Sequence, residues 1–126
     1  MMSNLFTDDL AATRRLFEEL LGFQVEFEAD WFVRMKAPTG GQLGVMARTS
    51  EFIPKGHQKL PQGVMITVVV DDVESLFAVA KEMQLNILEP PRDLPYGQRR
   101  MLLLDASGAL VDVSSPTAPV DSRYTS

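Results

Sequence analysis

Residues 23–28 (Phe-Gln-Val-Glu-Phe-Glu) alternate apolar and polar side chains at period 2, the pattern of a strand with one wet face. Just before them the spacing changes. Leu10, Leu16, Phe17, Leu20 and Leu21 recur at helical intervals and give one apolar stripe. Asp8 or Asp9 can cap that helix, because a carboxylate there satisfies free backbone N–H groups, and Gly22 stops it. A short apolar run at residues 2–6 predicts a first strand. Residues 31–37 and 42–47 predict two more, joined by the turn Pro38-Thr39-Gly40-Gly41. The order so far is β-α-β-β-β.

The same order is then written a second time. Residues 64–70 are rich in β-branched side chains and predict a strand. Asp71 or Asp72 caps a helix running to about Gln84. Ile87-Leu88 predicts a short strand, followed by a Pro-rich loop through Pro90-Pro91 to Pro95-Tyr96-Gly97. Residues 99–104 and 110–114 predict the last two strands, joined by the turn Asp105-Ala106-Ser107-Gly108. Thr7-Asp8-Asp9-Leu10 and Val70-Asp71-Asp72-Val73 lie 63 positions apart (71 minus 8), which sets Leu16 against Val79, Phe17 against Ala80 and Leu20 against Met83. The stretch from Ala37 to Val45 matches that from Asp105 to Val113 at an offset of 68 (105 minus 37). A period of about 60 residues is too long for a solenoid repeat. The chain therefore reads as an α+β fold of two fused βαβββ modules, residues 1–47 and 64–116, with a linker or loop at 48–63 and a flexible tail at 117–126. One helix cannot cover the apolar face of such a sheet, so two sheets are expected to pair around a curved trough. Residues 48–62, with two prolines, one glycine and no periodicity, can link the modules and also close over a site.

Composition narrows the classes of function. At 126 residues the chain is one compact domain or two half-domains sharing a core. No stretch approaches the roughly 20 apolar residues that cross a bilayer, and Met-Met-Ser-Asn lacks the basic and apolar regions of a secretory signal, so a cytoplasmic location and no membrane association are expected. The absence of cysteine excludes disulfides, thiolate metal sites and a Cys nucleophile. A net charge of −5 and no basic stripe interleaved with aromatics argue against nucleic acid, and fit a cationic or neutral ligand better than an anionic one. No Ser/His/Asp set is evident, and Gly40-Gly41 is a hairpin turn rather than a phosphate cradle.

The doubled β-α-β-β-β order resembles the glyoxalase/bleomycin-resistance/extradiol-dioxygenase superfamily, also called vicinal oxygen chelate. The resemblance is carried by Asp-Asp-Leu…Arg-Leu-Phe-Glu-Glu-Leu-Leu-Gly-Phe from Asp8 to Phe23, by Val70 to Val73, by Tyr96-Gly97-Gln98-Arg99-Arg100 and by the closing stretch from Asp105 to Val113. It runs from about residue 2 to 116. It implies a curved half-barrel with the helices outside, usually completed in a homodimer that holds its ligand inside. Metal-dependent members of this family place a His on the first strand of a module and a Glu on its last. Here those positions fall on Met2, Met65, Gly44 and Asp112, and the only histidine, His57, lies in the irregular loop. A single carboxylate does not hold Zn²⁺, Ni²⁺, Mn²⁺ or Fe²⁺, which take three or four N/O donors. No metal and no cofactor is therefore expected.

In a strand alternate residues share a face. Thr67 and Val69 join Met65, Leu110 and Ser114 join Asp112, Gln42 and Met46 join Gly44, and Asn4 and Phe6 join Met2. This mostly apolar lining with a few polar groups suits an organic molecule. Trp31 can stack on a planar ligand, methionines give a pliable wall, and Tyr96 and His57 can edge the mouth. Asp112 in an apolar trough is costly unless paired, with Arg99 on the neighbouring strand as the obvious partner. Phe6, Trp31, Gln42, Met46, Met65, Thr67, Tyr96, Arg99 and Asp112 are the expected ligand-binding set. The expected function is metal-free binding of a small molecule that is hydrophobic and can be cationic, of the bleomycin-resistance type. The alternative is a lyase, isomerase or dioxygenase of the same superfamily, either cofactor-free with Asp112 as its general base or with an unusual metal site.

Overall fold

The computed structural model describes residues 1–117. In chain order it has β1 (Ser3–Thr7), α1 (Leu10–Arg15) running on into a π-helical turn (Leu16–Leu20), β2 (Gln24–Ala29), β3 (Phe32–Lys36) and β4 (Gln42–Ala47). A 3₁₀ turn (Lys55–His57) follows, then β5 (Met65–Val69), α2 (Val73–Glu82), β6 (Asn86–Leu94), β7 (Gln98–Leu104) and β8 (Leu110–Pro116). The strands form two four-stranded sheets, ordered β1-β4-β3-β2 and β5-β8-β7-β6. In each sheet the first strand runs parallel to the last, and the remaining pairs are antiparallel. This is the α+β fold of two repeated βαβββ modules.

The described chain divides into two compact units: residues 1–64 with the turn 105–109, and residues 65–104 with 110–117. In the first, Leu5, Val33, Met35, Leu43 and Val45 are buried together with Leu16, Phe17 and Leu20. In the second, Val68, Met101, Leu103, Val111 and Val113 are buried together with Val73 and Ala80. Period-2 strands thus give one face of each sheet to its helix.

Of the paired aspartates it is Asp9 and Asp72 that cap, accepting from the backbone N–H of Ala12 and Glu74, and 72 minus 9 preserves the offset of 63. The helix ends also correspond. The carbonyl of Phe17 accepts from Phe23 N–H, and that of Ala80 from Leu85 N–H. Here 80 minus 17 is still 63, whereas 85 minus 23 is 62. The π-helical turn of the first copy accounts for the additional residue, since widening one turn inserts a residue without moving the flanking ones. Gly22 closes the first helix at φ +74, and Gln84 closes the second at φ +57.

Two expectations are corrected. The short strand at Ile87-Leu88 is nine residues long and includes Pro90 and Pro91, where a loop was expected. β6 is an edge strand, and its pairing with β7 is interrupted between Ile87 and Glu89 and again between Glu89 and Arg92. An edge strand with bulges leaves prolines at positions where no N–H has to be donated. Trp31 precedes β3 as a turn residue instead of opening the strand, although its carbonyl still accepts from Ala47 N–H. From residue 118 on, the expected tail lies outside the described residues.

Candidate functional site

In the first unit the sheet face turned away from α1 carries Asn4 and Phe6 from β1, Gln42, Gly44 and Met46 from β4, Phe32 and Arg34 from β3, and Phe27 from β2. Gly44 is a packing requirement. A Cβ built there would stand 1.9 Å from Asn4 Oδ1 and 2.9 Å from Phe32 Cε1, so the Asn4 amide and the Phe32 ring occupy the space over its backbone. Four aromatic rings follow one another along this part of the unit. Centroid separations are 6.2 Å from Phe27 to Phe32, 5.4 Å from Phe32 to Trp31 and 4.7 Å from Trp31 to Phe52. All three are tilted contacts in the favourable range for rings. Phe27 is 49% exposed and Phe52 64%.

Phe52 comes from the irregular loop, which is well anchored. Ser50 and Ile53 are buried, the Ser50 hydroxyl accepts from Phe52 N–H, and Gln58 donates to the carbonyl of Ile53 at 3.1 Å. Arg48 ties the loop to Asp8 (2.7 Å) and to the carbonyl of Gln58 (3.1 Å). An open cleft of about 840 Å³ lies between this loop, Asp8 and the turn at Ser107-Gly108, with Arg48 already committed on its wall.

Arg34 sits with its guanidinium 5.8 Å from the Phe27 ring centroid. Its Nε lies 3.7 Å from Glu26 Oε1, beyond hydrogen-bond reach, while Gln42 Nε2 donates to that same oxygen at 2.8 Å. The Arg34 Nε is one of two buried side-chain N or O atoms without a hydrogen-bond partner among the described residues. The other is Nε of Arg100, in the second unit.

There the corresponding face carries Met65 and Thr67 from β5, Leu110, Asp112 and Ser114 from β8, Arg100 and Leu102 from β7, and Glu89 from β6. Asp112 is only 5% exposed, and both its carboxylate oxygens are taken: Thr67 donates to Oδ2 at 3.1 Å and the Ser114 hydroxyl donates to Oδ1. The expected Asp112–Arg99 pair does not form. Asp112 stands opposite Leu102, so residues of that parity, Arg100 among them, share its face. Arg99 has the other parity and pairs with Glu74 near the start of α2 and with Asp93.

Arg100 Nη2 donates to Glu89 at 3.1 Å, and Arg92 approaches the same oxygen at 3.4 Å. The Arg100 hydrogen bond, followed by the charges of Arg92 and Arg100, holds the Glu89 carboxyl below the ordinary glutamate range against the opposing effect of desolvation. A depressed folded-state pKa gives stability that is present above the unfolded-chain value and lost as pH falls through the folded value. In a carbon-detected NMR titration Glu89 is expected to have its midpoint below that of an ordinary glutamate. Arg100→Gln should return it to the ordinary range, and an unchanged midpoint would dissociate Glu89 from Arg100.

The four positions at which the family's metal ligands would fall do not form a donor set. Gly44 has no side chain, and the Asn4 amide fills the space above it. Asp112 has both oxygens engaged by hydroxyls. Met2 and Met65 offer only thioethers, which favour soft Cu(I). No group of three or more His, Cys, Asp or Glu that could hold a metal occurs among the described residues.

The expected ligand-binding residues are thus distributed over the two units. Phe6, Gln42 and Met46 lie on the first sheet face, with Trp31 beside them. Met65, Thr67 and Asp112 lie on the second. Tyr96 is in the β6–β7 turn, and His57 is exposed in the 3₁₀ turn. Sequence reasoning passed over Arg34, Phe32 and Arg100, although alternation from Gly44 and Asp112 across the sheet reaches all three. Phe52 had no signal, because it lies in a segment without periodicity.

The family model for the glyoxalase/bleomycin resistance protein/dioxygenase superfamily matches residues 2–113. Among solved structures, a glyoxalase/bleomycin resistance protein/dioxygenase family enzyme from Burkholderia phytofirmans PsJN superimposes with a TM-score of 0.77 at 20% identity, covering 91% of this chain and 96% of its own. Lactoylglutathione lyase from Agrobacterium tumefaciens gives 0.72 at 18% identity, with 91% of each chain covered. TioX from Micromonospora sp. ML1 gives 0.71 at 20%, covering 92% of this chain and 97% of its own. At such identities these likenesses speak for the fold. Comparison with curated protein sequences gives no match. No helix among the described residues is long and apolar enough to cross a membrane.

Proposed function

The chain belongs to the glyoxalase/bleomycin resistance protein/dioxygenase superfamily, and from that premise we propose that it is a metal-free small-molecule-binding protein, working as a cytoplasmic homodimer that holds a largely apolar, planar organic ligand. The observation that carries this reading is the row Phe27, Phe32, Trp31 and Phe52, which leaves aromatic surface in water on a sheet face and on a loop anchored beside it. Large exposed rings set side by side are costly for a folded chain and are favourable once a flat molecule covers them. The metal-free part is supported by the chemistry of Met2, Gly44, Met65 and Asp112, which offers a single carboxylate already satisfied by Thr67 and Ser114. Binding of this kind asks for affinity and for no acid or base.

Native mass spectrometry of protein purified without added ligand or chelator tests the proposal. The expected spectrum is a dimer that carries an organic adduct and no stoichiometric metal. One transition-metal ion per chain would overturn it. The catalytic alternative makes Asp112 a general base, favoured by its burial at the position of the family's carboxylate. Asp112→Asn is expected to retain the adduct under the binding reading, and to abolish turnover under the catalytic one.

A further inference from the structure

We propose that the sheet face of the first unit is built for an aromatic acid: a flat ring system lies against Phe27, Phe32, Trp31 and Phe52, and its carboxylate is taken by the guanidinium of Arg34. The inference rests on the ligand-binding reading above and deepens it by fixing the sign of the ligand's charge.

Arg34 carries the argument. It lies among the aromatic rings, with its guanidinium already 5.8 Å from the Phe27 centroid. Its internal counter-ion, Glu26, stands at ion-pair distance, 3.7 Å from the Arg34 Nε, and not at hydrogen-bond distance, with Gln42 donating to the same Oε1 at 2.8 Å. The Nε is buried and meets no acceptor. A buried donor without an acceptor is an unfavourable state, all the more for a charged group. A small rotation of the side chain onto a bound carboxylate removes that penalty. The planar fork of the guanidinium also matches a carboxylate with two parallel N–H···O bonds, which an alcohol cannot reproduce. A ring already stacked on the neighbouring aromatics brings its acidic substituent to Arg34 with little freedom left to lose.

The local charge agrees. On the strands of this face the charged side chains of matching parity, with the bulged Glu26, are Arg34, Lys36 and Glu26, which sum to +2 − 1 = +1. Glu28 has the opposite parity and pairs with Arg14 of α1. The chain-wide charge of −5 attracts cations from a distance, but exposed charges more than about 10 Å away are largely screened at ordinary salt. At contact, a ligand ammonium would meet Arg34 and a glutamate already occupied. The second unit repeats the arginine Nε without a hydrogen bond at Arg100, but among the described residues no row of aromatic rings lies beside it.

The test uses the full-length protein and three matched probes: 2-naphthoate, 2-naphthylmethanol and 2-naphthylmethylammonium. Affinity is read by calorimetry, and location by the NMR signal of the Trp31 indole N–H, which is unique because the chain has one tryptophan. All three probes are expected to bind and to shift the Trp31 signal, with naphthoate about tenfold tighter than the alcohol and the ammonium weakest. In Arg34→Gln the acid and the alcohol should bind equally. Equal binding of acid and alcohol to the unaltered protein would overturn the charge assignment while leaving ligand binding in place. Tightest binding of the ammonium would reverse the sign. An advantage of naphthoate that survives in Arg34→Gln would overturn the role of Arg34. If none of the three shifts Trp31, both this inference and the binding reading fall. The series on the unaltered protein decides the charge even if Arg34→Gln does not fold.

Discussion

Phe17→Ala is expected to destabilise the protein by about 3–5 kcal/mol, the usual cost of deleting a buried ring. Phe17 has no exposed surface, and its ring packs against Phe23 with centroids 5.3 Å apart. It lies in the π-helical turn, between buried Leu16 and Leu20, so truncation opens a cavity where the helix meets the sheet core. Urea unfolding measures the effect, and a loss below about 1 kcal/mol would show that the ring is not part of the core. The backbone bond from Phe23 N–H to the Phe17 carbonyl is untouched by the substitution. The cost therefore reports packing rather than loss of the helix stop.

Asp105→Ala is expected to cost about 3 kcal/mol, for a different reason. Asp105 is 4% exposed, and its Oδ2 accepts from the Thr13 hydroxyl at 2.7 Å and from Ser107 N–H at 2.9 Å. Thr13 in turn shares a hydrogen bond with Thr7 at 3.0 Å, and Thr7 Oγ1 accepts from Asp9 N–H at the start of α1. Alanine would leave the buried Ser107 N–H without an acceptor, at about 1–3 kcal/mol for an unsatisfied group, and would remove the partner of the buried Thr13 hydroxyl. Asp105→Asn keeps the shape and one acceptor oxygen, and should lose only about 1 kcal/mol. Equal losses in the two variants would mean that the charged carboxylate, and not shape with a single acceptor oxygen, is what Thr13 and Ser107 require. Denaturant unfolding of both variants separates these outcomes.

The two residues differ in how legible they are. Phe17 is visible from the sequence, because Leu16, Phe17, Leu20 and Leu21 repeat at helical spacing and the same stripe recurs 63 residues later. Asp105 is visible only as part of a turn. The first copy has Ala37 at the matching position, so the repeat marks Asp105 as different without saying why. Its partner Thr13 lies 92 residues away on α1, and no periodicity spans that separation. Arg34 and Arg100 fall between these cases. Alternation assigns both to the faces of Gly44 and Asp112, but only the coordinates show that Glu26 accepts from Gln42 and stays at ion-pair distance from Arg34, whose Nε makes no hydrogen bond.

By itself, the sequence determined the doubled βαβββ order, the helix caps and the stripes that each helix buries. These follow from rules that act within one element, where burial at period 2 or 3.6 and capping at a terminus leave a local trace. The tertiary structure decided the rest: the full length of β6 through its prolines, the turning of Arg99 toward α2 while Arg100 shares the face of Asp112, the stacking of Phe52 on Trp31 and the grip of Asp105 on Thr13. Each of these depends on which residue of a distant segment arrives opposite. Strand register and loop packing fix that only when the whole chain has folded, and a one-residue change of register turns every side chain to the other face.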